Sequence, residues 1–371
     1  MRDKLLLIKE HLQNAPAILA SKKIAAGFDG FVDSIVKVVN TKTEGSAAEH
    51  FQTIKQFGDY ISAKSGSGFS LESEEQLLKL GGNMPIMANA MAQMGTVVDC
   101  VGAFGVPSAH AAFTDMHPSC TLHSFTNPGF TTAIEFTDGK IMLAQMTDLN
   151  NADWEVIKAA IGLQKLREIF SDAGLICLVN WSELDHSNNI WQRLIDEVFT
   201  DVTANADRQF FIDLSDCSKR SAQSIDLALD LVKQFGKHGA VTISLNRNEA
   251  GILYKLFTEE EIPAELQVIG EALFPKLKVA TLIIHTSKMS LAWDAAGFYF
   301  NQPVFIANPT ISTGAGDNFN AGFCIGQLLG LDAEASLILA NSSSNCYIKS
   351  GESPTITQLN NHISQLISSP L

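Results

Sequence analysis

The sequence has no basic run. Its 26 Lys and Arg are outnumbered by 40 Asp and Glu, for a formal net charge of −14. That excludes the electrostatic footprint a nucleic acid or an anionic membrane surface requires, so neither is expected as a partner. Any phosphorylated ligand must have its charge offset locally, by backbone dipoles or a metal. A C-x-x-C pair is also missing. The six cysteines, at 100, 120, 177, 217, 324 and 346, are scattered, which predicts reduced thiols in a cytoplasmic protein. No apolar run is long enough to span a bilayer, and Met1-Arg2-Asp3-Lys4-Leu5 opens no signal-peptide core. The string G-x-x-x-x-G-K-[ST] does not occur, so a P-loop kinase is not supported. No internal repeat is evident.

What is present is a large apolar fraction: 46% of 371 residues, ample for a large core in one big α/β domain or two smaller ones. Apolar strands are predicted at 24–28, 31–36, 97–103, 174–179, 209–213, 240–245, 279–284 and 304–307. Thr131–Phe136 and Lys140–Leu143, joined through Asp138-Gly139, read as a hairpin. Helices are predicted at 3–13, 83–94, 188–199, 221–236, 247–257, 319–329 and 333–348, and 45–79 reads as polar and helical with a linker at 65–68. Strands alternating with helices make a doubly wound α/β fold. Its sheet should be largely parallel and covered by helices on both faces.

Several stretches offer chemistry. Ile311-Ser312-Thr313-Gly314-Ala315-Gly316-Asp317 delivers the chain onto a helix N-terminus, where unpaired N–H groups and the helix dipole favour an anion. Glycine lets the backbone approach that anion and fold into a nest of N–H groups. Asp317 in the same place is either an N-cap or a base that takes a proton from a hydroxyl attacking a phosphate. Asp29 and Asp33 flank the end of the first strand, where open α/β sheets put ligands; the plainer reading is a turn former and a cap. Gly81-Gly82-Asn83 opens a small-residue helix. Asn246 and Glu249 have capping-box spacing. His117, Cys120 and His123 resemble a metal cluster, but structural zinc takes four ligands and no second cluster is visible.

The string T-G-A-G-D-x-F-x-A-G, from Thr313 to Gly322, resembles the second signature of the ribokinase-like (PfkB) family of small-molecule kinases. Leu80 to Gly95 resembles its first signature, Gly102-Ala103-Phe104-Gly105 its next turn and Asn246–Glu249 its N-x-x-E motif. The resemblance runs from about residue 23 to about 357. It implies one ribokinase-like domain over 1–371, a small β lid from segments within about 30–145, and a homodimer formed through that lid. It implies ATP and Mg²⁺, and phosphoryl transfer to a hydroxyl of a sugar or sugar-like substrate. Asp317 would be the base, with the N–H groups of Gly314, Ala315 and Gly316 holding negative charge. Asp33, with Asp29 in reserve, would bind two substrate hydroxyls beside Gly81, Gly82 and Asn83. Asn246 and Glu249 would help place Mg²⁺ and phosphate, Glu249 through water. Thr286 and Ser287 would border ATP, and Asn341 would lie near adenine.

The chain departs from the family pattern in four places. Ile86 stands where relatives carry asparagine, and Ser287 and Ser290 where they carry glycine. Ile311 replaces an aspartate that often ligates a monovalent cation, so activity is expected not to need potassium. Two alternatives follow. One is a nucleoside kinase with an aromatic floor of Phe28, Phe31 and Trp181. The other is a non-catalytic sugar- or nucleotide-binding protein on the same fold.

Overall fold

The computed structural model describes residues 1–200, 205 and 207–368. Fourteen strands among them are numbered along the chain: β1 (Lys23–Gly27), β2 (Phe31–Thr41), β3 (Glu49–His50), β4 (Ser73–Gly81), β5 (Val97–Gly102), β6 (Cys120–Ser124) and β7 (Gly129–Phe136). The series continues with β8 (Gly139–Gln145), β9 (Leu175–Leu178), β10 (Gln209–Asp213), β11 (Ala240–Asn246), β12 (Thr281–His285), β13 (Ser290–Asp294) and β14 (Gly297–Asn301).

Nine strands form one sheet in the order β14-β13-β12-β11-β10-β9-β1-β5-β6. Pairing is parallel from β12 to β6, and β13 and β14 close one edge antiparallel. Both faces are covered, and side-chain alternation shows it. Along β9, Ile176 and Leu178 enter one core while Leu175 and Cys177 enter the other, and all four are buried. Six helices pack on the first face: Trp154–Ile161, Leu163–Asp172, Ser187–Val198, Ala222–Phe235, Arg247–Thr258 and Leu266–Leu277. Arg2–Leu19, Asn83–Gln93, Ala315–Leu328, Ala333–Ser350 and Ile356–Ser368 pack on the second. Side chains start several of these helices: Ser221 accepts the Ser224 N–H, and Asp332 accepts that of Ala335. The doubly wound α/β expectation holds.

A second sheet runs β3-β2-β7-β8, with β4 also paired to β2. β2 and β7 are parallel; β4 and β8 are antiparallel to their neighbours. The register sets Asp33 directly between Lys79 and Thr131. Helix Ile54–Ala63 seals one side of this sheet through Phe57, which packs with Val36, Phe51 and Ile134.

Two sequence expectations fail. The stretch 45–79 is not helical throughout: the helix is Ile54–Ala63, and Ser73–Gly81 is strand β4. Its Glu, Gln, Leu and Lys are good helix formers, but pairing with β2 overrides that weak preference. The run 304–307 is not a strand. It pairs with no strand among the described residues, and Phe305 is left 85% exposed. The first helix is longer than expected, reaching Leu19 through Pro16, and the helix after the glycine loop starts at Ala315. Among the described residues no helix is long and apolar enough to cross a membrane.

Candidate active site

The carboxyl ends of the parallel strands share one edge, because β10, β11 and β12 end in register at Asp213, Ser244–Asn246 and His285. Chain reversals just beyond them supply polar groups to a single cavity of about 210 Å³ lined by Asn83, Asp213, Asp216, Asn246, Glu249 and Asp317.

Asp29 and Asp33 have different surroundings. The Asp29 carboxylate is fully buried and accepts the Met84 N–H at 2.9 Å and the Asn180 amide at 2.7 Å. Burial outweighs these bonds and pushes its pKa up to about 7. Its oxygens are spent within the protein. Asp33 sits on β2, and burial raises its pKa too, against the opposing pull of Lys79, the Thr131 hydroxyl and Lys140. It keeps acceptor capacity for a ligand. The glycine pair packs tightly beneath both groups. A Cβ on Gly81 would stand 2.5 Å from the Asp33 carboxyl carbon, and one on Gly82 2.5 Å from an Asp29 oxygen.

Gly314 has φ 92° and begins helix Ala315–Leu328. A Cβ there would meet the Tyr347 hydroxyl at 2.8 Å and Ile86 at 3.3 Å, so the asparagine-to-isoleucine departure at 86 places an apolar wall against the loop. The Ala315 N–H turns back to the Ser312 carbonyl at 3.2 Å, which removes it from the expected nest. The Gly316 N–H has no hydrogen-bond partner among the described residues. Asp317 follows, half-buried at the cavity wall. Loss of water holds its pKa well above the usual carboxylate range, with Asp213, Asp29 and Asp33 adding repulsion.

Asp213 was not legible in the sequence. Its carboxylate accepts the Ser215 N–H at 2.7 Å and the Asn320 amide at 2.8 Å, and Asn320 accepts the Ser244 hydroxyl. Asn83, on the cavity wall, donates to the Ser215 hydroxyl at 2.7 Å, which ties its helix to this network. The local signal was an acidic residue ending an apolar strand before Ser215, whose φ is 55°.

Asn246 and Glu249 form a complete capping box, in which both Glu249 oxygens are bonded to Asn246. Each Glu249 oxygen thus already accepts one hydrogen bond from Asn246. Asp213, Glu249 and Asp317 all have raised pKa values, primarily from burial. Several desolvated carboxyls around one polar cavity make a donor set suited to a hydrated hard cation. His285, also on this cavity, stacks on Phe319 with centroids 4.7 Å apart, and burial lowers its pKa to about 4.

Thr286 organises the next turn by accepting the Lys288 and Met289 N–H groups, and Ser287 is exposed. Asn341 donates to the Ser290 hydroxyl at 2.8 Å and to the Asn301 side-chain amide oxygen at 2.6 Å. It lines a second cavity of about 240 Å³ with Asn301, Val304, Asn345 and His362. The turn from His285 to Ser290 thus links the first cavity to Asn341 on the second.

Other candidates separate. Phe28, Phe31 and Trp181 all belong to one buried core and the Trp181 indole bonds Asn188; of the three, Phe31 lies against Gly82 of the glycine pair. His123 bonds Asp99, His117 accepts the Ser119 N–H and the Cys120 thiol meets the Ala88 carbonyl. Among the described residues no group of three or more His, Cys, Asp or Glu could hold a metal ion directly.

Comparison with known proteins gives a consistent answer. A family model described as prokaryotic ketohexokinase matches residues 5–366. The ketohexokinase of Haloferax volcanii is 26% identical over 349 residues, spanning 94% of this chain and 92% of that protein. The structure of Arabidopsis thaliana ribokinase complexed with ribose and ATP has a TM-score of 0.61 at 15% identity, covering 94% of this chain and 99% of that one. Adenosine kinase from Sinorhizobium meliloti gives 0.64 at 15% identity over 93% and 99% of the two chains. The structural likenesses carry the ribokinase fold, and the family match spans nearly the whole sequence. The protein is a carbohydrate kinase, and the chain belongs to the prokaryotic ketohexokinase family.

Proposed function

We propose that the protein transfers the γ-phosphoryl group of ATP to a hydroxyl of a ketohexose. The observation that carries this reading is Asp317. A desolvated carboxylate stands beside the free Gly316 N–H, at a helix N-terminus, on the wall of the carboxyl-edge cavity. The family description and the name of the Haloferax volcanii relative supply the sugar class.

Asp33 accepts two substrate hydroxyls and sets the sugar's orientation, with Gly81 and Gly82 allowing close approach. Asp317 takes the proton from the attacking hydroxyl oxygen, and its raised pKa makes it a stronger base than an ordinary carboxylate. The Gly314 and Gly316 N–H groups face the negative charge that develops on the transferred group. Asn246 and Glu249 would hold a hydrated Mg²⁺ near the phosphates, where it would supply neutralisation of their negative charge. Thr286 and Ser287 border the nucleotide, and Asn341 lies against its base in the second cavity. The chain works as one ribokinase-like domain with its lid, in the cytoplasm, as a homodimer joined through the lid.

The test is a turnover screen of ketohexoses, other sugars and nucleosides with ATP and Mg²⁺, run beside thermal shifts with a non-hydrolysable ATP analogue. Turnover of a ketohexose is expected. Turnover of nucleosides alone would replace the sugar reading, and binding without any turnover would make the protein a non-catalytic binder.

A further inference from the structure

Lys140 is the second residue of β8, opposite Glu135 in register and on the same sheet face as Asp33, Lys79 and Thr131. Its ammonium donates to the Thr313 hydroxyl, immediately before Gly314. The lid tip therefore reaches the glycine loop. That reach is built in. The Asp138 carboxylate accepts the Ile54 N–H at 2.9 Å, and Thr137 gives both its N–H and its hydroxyl to the Gln52 carbonyl, at 2.8 and 2.7 Å. On the loop side, the Tyr347 hydroxyl holds the Thr313 carbonyl at 2.8 Å.

The charge pattern is unusual. Among the described residues Lys140 makes no ion pair within 4 Å, and its one partner is a neutral hydroxyl. Lys79 faces Asp33 across the β2–β4 ladder and offsets that carboxylate more strongly than Lys140 does. Asp33, Asp213, Glu249 and Asp317 make the site strongly acidic, yet the transferred group is itself an anion. A cation held only by a hydroxyl at the mouth of the anion loop has two donor positions left and a weak resting contact to give up.

We propose that Lys140 is a catalytic residue, carried by the lid hairpin to bind the phosphoryl group in transfer. The proposal rests on the kinase reading above. In the step, the sugar oxygen bonds to the γ-phosphorus as the bond to the β–γ bridging oxygen breaks. The hydroxyl proton goes to Asp317, and ADP leaves. Lys140 forms no covalent bond and keeps its proton; it stabilises the oxygens of the passing group.

The test compares the full-length protein with Lys140→Met and Lys140→Arg. Lys140→Met should lower kcat by about 10²–10³-fold, the effect of one lost donor at developing charge, with little change in either KM. Lys140→Arg keeps the charge and should recover much of the loss. Affinity for ADP with aluminium fluoride should fall in Lys140→Met while affinity for ADP alone holds. Unchanged kcat in Lys140→Met would overturn the proposal, as would a rise in sugar KM at constant kcat, which would make Lys140 a substrate contact. A lowered melting temperature with normal kcat would make it only a latch. A wild-type protein that turns over no sugar would overturn the kinase reading itself, a result distinct from all of these.

Discussion

At the scale of single residues, the glycine loop separates folding from chemistry. Gly314 has a positive φ and the Tyr347 hydroxyl against it, so Gly314→Ala should cost about 1–3 kcal/mol of stability. A Cβ on Gly316 would meet nothing nearer than His285 at 3.7 Å. Gly316→Ala should therefore melt near the wild-type temperature yet lose turnover, because the methyl group would occupy the anion's approach. Equal melting losses in the two variants would remove the distinction. Asp317→Asn keeps the shape and the helix start, so its loss should fall on kcat, by roughly 10²–10⁴-fold. Both KM values should move far less. Near-normal turnover in that variant would make Asp317 a cap and end the proposed mechanism.

At the scale of elements, the turn after β1 and the start of β2 assign different work to two carboxylates. Asp33→Ala should weaken sugar binding by roughly 1.5–3 kcal/mol per hydroxyl bond lost and leave ATP binding intact. Asp29 should instead show in stability. Its pKa rises from 3.8 to about 7 on folding. Below pH about 4 both states hold the proton, and Asp29 has no effect. Between about 4 and 7 the folded state keeps a proton that the unfolded state releases, so stability falls as pH rises; above about 7 the loss is complete. Asn can still accept the Met84 N–H, so Asp29→Asn should fold. Its melting temperature relative to wild type should climb across that window. A pH-independent difference would show that the Met84 and Asn180 bonds keep Asp29 ionised.

At the scale of the whole molecule, the lid sheet has two faces with different fates. One carries Asp33, Lys79 and Lys140 toward the site. On the other, past the end covered by helix Ile54–Ala63, Leu78, Ser34, Thr132 and Leu143 lie in one row across four strands, with Leu78 39% and Leu143 55% exposed. Exposed leucines in register on a sheet are the material of an interface. Leu143→Glu should convert the proposed dimer to a monomer in sedimentation equilibrium. A wild-type protein that sediments as a monomer at every concentration would refute the lid dimer.

The sequence by itself determined whatever depends on neighbours along the chain. Alternating strands and helices, the Thr313–Asp317 loop, the Asn246–Glu249 box and the Gly81-Gly82 turn are all local patterns, and periodicity or turn chemistry exposes them. Tertiary structure decided what depends on partners far away. Ser73–Gly81 is a strand because β2 pairs with it, whereas 304–307 pairs with no strand among the described residues. Asp29 and Asp33 look alike in sequence; Asn180 and Met84 consume the first, while Lys79 and Thr131 flank the second. Asp213, Lys79 and Lys140 carry no motif, and they reach the site through strand register. Hydrogen-bond ladders and loss of water act across distances that spacing along the chain does not encode.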